Sequence, residues 1–154
     1  MPHLATYVAL ADHSEQILAE SFRVLAAGRP DVHDVFHMSH TLATMSDGHR
    51  DELKPIIERY GEDDSVEEPE RLRASGVAEV RQGEIGLLRD LQDLHLLATL
   101  VKSTWLVIAQ GAQGLRDHEL LQVATTSQQD TERQLRWLET RMKTAAPQAL
   151  IVAP

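Results

Sequence analysis

Between residues 84 and 115 the apolar side chains recur at alternating intervals of four and three: Leu87, Leu91, Leu94, Ala98, Val101, Trp105, Ile108, Ala112 and Leu115. That spacing gathers them on one stripe of an α-helix and would scatter them over both faces of a strand. A helix of this length buries such a stripe only against partners of similar length, so the chain is constrained to a helical bundle. Val35, Ser39, Leu42, Ser46, His49, Leu53, Ile56 and Tyr60 repeat the rhythm, this time with a polar middle. The scarcity of aromatic residues, 4% of the chain, disfavours a β-sandwich and suits a core of Leu, Ile, Val, Met and Ala.

Punctuation residues divide the chain into four helices within a single domain, residues 1–154. The first is expected over about 4–27, with Leu10, Ile17, Leu18, Val24 and Leu25 inward and Gly28 and Pro30 as its stop. The second spans about 31–60, with Asp31 as cap, Asp34 three residues on, and a kink at Pro55. The third spans about 84–113 and closes at Gly114. The fourth spans about 117–144, with Asp117 as cap and Leu121, Ala124, Gln128, Thr131, Leu135, Leu138 and Met142 on its seam; Pro147 ends it. The apolar tail, 146–154, is expected to pack on the bundle or on a second subunit.

Residues 61–83 carry no sustained apolar period and read as a connection. Within 61–80, seven acidic side chains stand against Arg71 and Arg73, which accounts for five of the nine net negative charges. About 20 residues at about 3.3 Å each reach about 65 Å, more than the roughly 45 Å of a 30-residue helix. The segment is therefore long enough to carry the chain from one end of the bundle to the other. The expected fold is an all-α four-helix bundle with one long crossover between the second and third helices.

The charge of −9 argues against phosphate-tracking nucleic-acid binding. No cysteine is present, which removes disulfides, thiolate metal sites and cysteine nucleophiles. With no charged start before an apolar run and no stretch of roughly 20 apolar residues, neither a signal peptide nor a membrane span is expected, and the chain reads as cytoplasmic. Phosphate loops, nucleophile elbows and zinc-protease helices are also missing from the sequence.

Chemistry is sought where polar residues interrupt the seams. With the second and third helices parallel, His49 falls level with Ser14, Ser46, Gln128 and Thr131, a polar layer at mid-bundle. His49 either fixes the register of the helices or serves as a ligand, with Glu15 and Glu132 as the carboxylates nearest to hand. A di-metal carboxylate centre needs two Glu-x-x-His pairs, and none occurs. His33, His37 and His40 form a second candidate, a surface stripe whose imidazoles are spaced to share one metal ion or simply to be solvated.

Four stretches, Val8–Gln16, Met45–His49 with Lys54–Gly61, Leu87–Ala98, and Thr131–Lys143 with Ala146–Leu150, resemble a group of uncharacterised bacterial ferritin-like proteins. The resemblance implies a ferritin-like bundle and, position by position, Glu15, His49 and Glu132 as remnants of an inward-facing site. Related sequences place His and Glu where this chain has Ser127-Gln128-Gln129-Asp130. The leading expectation is a non-enzymatic, stress-associated structural or interaction protein, a homodimer with no cofactor. The alternative is a metal-binding protein with a degenerate core site for iron, zinc or another transition metal. A third reading places a small organic ligand near Trp105.

Overall fold

The computed structural model describes residues 2–61 and 74–154. Four helices account for most of them: α1 (Pro2–Gly28), α2 (His33–Tyr60), α3 (Gly83–Leu115) and α4 (His118–Pro147). A short π-helical turn, Gln148–Val152, follows α4 directly. Each helix packs along two neighbours: α1 against α2 and α3, and α4 against α3 and α2. The diagonals are thus α1/α4 and α2/α3, and side chains from all four meet on the bundle axis.

The seams hold. Every position named on the α2 seam is buried except Tyr60, which is half-buried, and on α3 every named position except Leu115 is buried. Trp105 and Phe22 are the largest side chains in a core otherwise made of Leu, Ile, Val and Ala.

Contacts at the helix ends fix the direction of each element. At one end, Asp117 caps α4 by accepting from the Leu120 N–H at 3.1 Å, and it also accepts from the Tyr60 hydroxyl at 2.5 Å and from Arg59. The Asp117 cap agrees with the sequence expectation. Burial and the Asp117 charge together push the Tyr60 hydroxyl up to about 12. At the other end, Asp34 pairs with Arg141 at 2.7 Å, and Arg29 donates to the carbonyls of Arg81 and Gly83. The end of α2 therefore lies beside the start of α4, and the end of α1 beside the start of α3.

The stretch entering α3 is tightly held. The Val77 N–H donates to Ser21 Oγ at 2.9 Å, and the fully buried Asp90 carboxylate accepts from the Arg81 backbone N–H at 3.0 Å and from its guanidinium at 2.7 Å. Close approach is required here: a Cβ on Gly86 would lie 2.7 Å from the Arg81 carbonyl carbon.

Several boundaries differ from expectation. Asp31 is exposed and does not cap α2; Val32 holds that position without a side-chain cap, because the turn is closed by the Val32 N–H on the Arg29 carbonyl. Gly114 lies within α3, and Arg116 takes the left-handed terminating conformation (φ 59°) instead, with the Arg116 and Asp117 N–H groups returned to Gln113 and Ala112. Pro147 does not stop the helix. Its φ of −61° is already helical, and the chain winds on to Val152, so the expected tail is largely helical. The acidic residues expected to form most of the connection, 62–73, lie outside the described residues.

Two substitutions test this arrangement by chemical denaturation. Gly86→Ala is expected to destabilise by about 1–3 kcal/mol, since the backbone of Arg81 must move. Arg116→Gly is expected to stabilise by up to about 1 kcal/mol by relieving the left-handed backbone of a residue with a Cβ.

Candidate functional site

At mid-bundle, three titratable side chains from three helices are joined in a row. His49 of α2 is 3% exposed; its Nδ1 contacts Glu15 Oε2 of α1, and its Nε2 lies 2.9 Å from Asp130 Oδ2 of α4. Glu15 is fully buried, whereas the Asp130 side chain is 25% exposed, so the row runs from the core to the surface. The remaining helix, α3, supplies Trp105, whose ring stands edge-on to the imidazole at 6.4 Å between centroids.

Local sequence explains the placement. His49 and Glu15 sit on the inward stripes of their helices, with small neighbours, Ser14 and Ser46, that leave room for them. Only the imidazolium form donates from both ring nitrogens; a neutral ring would leave one carboxylate facing a lone pair. The electrostatics follow. Burial opposes charge on His49, but its hydrogen bonds and charge interactions with Glu15 and Asp130 outweigh this and raise its pKa above 6.5. Burial also raises Glu15 above the ordinary carboxyl value, against the pull of His49, Ser46 and Trp105 toward the anion. The Trp105 Nε1 acts from outside hydrogen-bonding geometry, and Glu15 Oε1 likewise completes no hydrogen bond.

The polar layer is present in altered form. Ser14, Ser46 and Thr131 are buried, while Gln128 is only half-buried. Its expected place belongs to Ser127 and Gln134, and Gln134 Nε2 donates to the Leu42 carbonyl at 2.9 Å and to Ser46 Oγ at 3.0 Å. Thr131 spends its hydroxyl on the Ser127 carbonyl one turn back.

Of the proposed core ligands, Glu15 and His49 come together and Glu132 does not join them. Glu132 faces the outer α3/α4 groove, 46% exposed and 3.6 Å from Lys102, because it follows the inward Thr131 by about 100° around the helix. Asp130, unnamed as a site residue by the sequence reading, takes its role. Its signal was the stretch 127–130, where the chain departs from the ferritin-like resemblance with an acid of its own. On the surface, His33, His37 and His40 are all exposed, and the rings of His37 and His40 rest against the Phe36 ring at 5.2 and 4.9 Å.

Among the described residues, no group of three His, Asp or Glu side chains is arranged to hold a metal ion. The reason is visible in the row itself. The two carboxylates contact opposite nitrogens of one ring, so they cannot converge on a common ion while the imidazole lies between them. Among the same residues no helix is long and apolar enough to cross a membrane. Compared with known protein families, curated proteins and solved structures, the chain finds no match.

His49→Ala leaves Glu15 buried without a cation and is expected to cost about 3–5 kcal/mol in denaturant unfolding; Asp130→Asn, nearer solvent, is expected to cost about 1 kcal/mol. The pH dependence has a definite sign. Both His49 and Glu15 bind protons more tightly folded than unfolded, so their contributions decline as pH rises. The His49 contribution is complete below pH 6.5 and is lost as pH passes its raised folded value. Wild-type stability is expected to fall with pH above 6.5, and His49→Gln to lose the imidazole's share of that slope.

Proposed function

We propose that this chain is a ferritin-like four-helix bundle with one long crossover between its second and third helices, and that it is a non-enzymatic structural or interaction protein. The crossover reading is supported by end contacts: Tyr60 meets Asp117 at one end, whereas Gly83 meets Arg29 at the other. In this reading the connection between Tyr60 and Gly83 runs the length of the bundle. Its expected length, 61–83, is sufficient for that.

The observation that carries the functional reading is the occupation of both His49 nitrogens by carboxylates. A ring so engaged acts as a buried cation holding α1 and α4 to α2. Di-metal bundles need several converging carboxylates and a pair of imidazoles, and here the row offers one imidazole, one buried carboxylate and one half-buried carboxylate on the opposite side of the ring. These residues do not fit a two-metal centre. No nucleophile with a paired base is present in this row.

A second reading, a metal-binding protein with a degenerate core site, draws on one observation. Glu15 Oε1 is a buried carboxyl oxygen with no hydrogen-bond partner. A single transition-metal ion there would have to displace His49 from Glu15 or from Asp130.

Metal analysis by mass spectrometry on untagged protein purified without chelator separates the two. The structural reading expects less than about 0.1 metal per chain in both wild type and His49→Gln. A wild-type ratio near one that falls in the variant would replace it with the metal-binding reading.

A further inference from the structure

A cavity of about 400 Å³ lies between α1 and α2, at the end of the bundle where α1 begins and α2 ends. None of the mid-bundle row lines it. Here α1 faces α2 with Ala5 and Ala9, one turn apart, and their short side chains leave space that longer ones would fill. Val8 and Ile57 complete an apolar floor. Tyr60 forms one end; Asp117 holds its hydroxyl at 2.5 Å, and the Arg59 guanidinium lies 5.5 Å from the centre of its ring. The size and the apolar floor are those of small-molecule sites, which run from roughly 300 to 1,000 Å³.

The charged groups on the wall select the class of ligand. Asp12 and Arg50 stand at one end, paired at 3.1 Å, with Lys54 one turn on along α2 and Glu58 one turn beyond that. The set is neutral. A bare carboxylate would meet two acids as well as two bases, on a chain whose charge of −9 already repels anions. A bare amine would meet the two bases. A ligand that carries both charges can set each against its opposite, and it has no net charge to be repelled.

We propose that this cavity binds the zwitterion of an apolar α-amino acid, with its carboxylate between Arg50 and Lys54, its ammonium on Glu58 and its side chain on Ala5, Val8, Ala9 and Ile57. Lys54 and Glu58 are neighbours at four residues' spacing, as the two charges of an α-amino acid are neighbours on one carbon. Donors remain for the carboxylate. Asp12 takes one of the five N–H groups of Arg50, and Asp51 takes one of the three of Lys54 in an exposed pair that water screens. The site goes beyond the structural role of the His49 row and does not depend on it.

Titration calorimetry on the full chain tests this with L-leucine and three probes that each lack one of its parts. These are 4-methylpentanoate without the ammonium, 3-methylbutylamine without the carboxylate, and glycine without the side chain. Leucine is expected to bind with a Kd below about 1 mM, and each of the other three at least about tenfold more weakly. Ala9→Leu fills the cavity without touching a charge and is expected to abolish leucine binding. Glu58→Gln, on the exposed rim, is expected to weaken leucine about tenfold and to leave 4-methylpentanoate no weaker, with helical circular dichroism unchanged. Absence of leucine binding at about 10 mM overturns the site, and so does unchanged leucine affinity in a folded Ala9→Leu. Binding of 4-methylpentanoate or 3-methylbutylamine as tight as that of leucine overturns the zwitterion. Metal content tests the structural reading separately, so either can fail without the other.

Discussion

The contact on which the arrangement depends most is the imidazole of His49 held between two carboxylates. It ties α2 to both of its neighbours at one level, and it does so in a layer where Trp105 completes the wall. Apolar packing alone is tolerant of sliding by a turn, since Leu, Ile and Val replace one another along a seam with little loss. A buried charge that must find two partners is not tolerant. Any shift of α2 by one turn leaves Glu15 in the core without its cation, and that penalty is several times the value of the contact itself. The polar row thereby sets the register that the apolar seams leave open.

The ends of the bundle are organised by a similar logic but nearer to water. Asp117 at one end gathers the Tyr60 hydroxyl, the Arg59 guanidinium and the Leu120 N–H in the first turn of α4, so that one carboxylate serves as cap and as tie between two helices. At the other end, Arg29 and Asp90 hold the strand of chain that leads into α3, the former through carbonyls and the latter through an N–H and a guanidinium. Exposed ion pairs such as Lys54–Asp51 add little beside these, because water and mobile side chains screen them.

Much of this was legible from spacing. The four-three rhythm of α2 and α3 identified their buried faces almost residue by residue, because burial on a long helix repeats with the geometry of the helix itself. His49 was found for the same reason, as a polar residue on an apolar stripe, whereas Glu15 was found as a nearby carboxylate and through the ferritin-like resemblance. Asp130 was missed because the inward face of α4 runs through Ser127 and Gln134, one position away from the line drawn through Gln128. On a helix with a weakly apolar face, a slip of one residue moves a side chain by about 100°, enough to exchange Asp130 for Glu132. Gly114 and Pro147 misled for a different reason. Glycine and proline mark where a helix can end, whereas α3 and the stretch after α4 end where their packing ends.

The row at mid-bundle also bears on the order in which the chain can assemble. Glu15 and His49 are 34 residues apart and belong to one helical hairpin, while His49 and Asp130 are separated by 81 residues. Closing the longer loop costs about 0.8 kcal/mol more in chain entropy, by the logarithmic dependence on length. The first hairpin therefore meets its own ion pair at the lower entropic cost, and it presents the remaining imidazole N–H as an unfilled donor on its inner face. The second hairpin brings the acceptor, so docking of the two halves is accompanied by a single directional bond that distinguishes the correct seating from its neighbours one turn away.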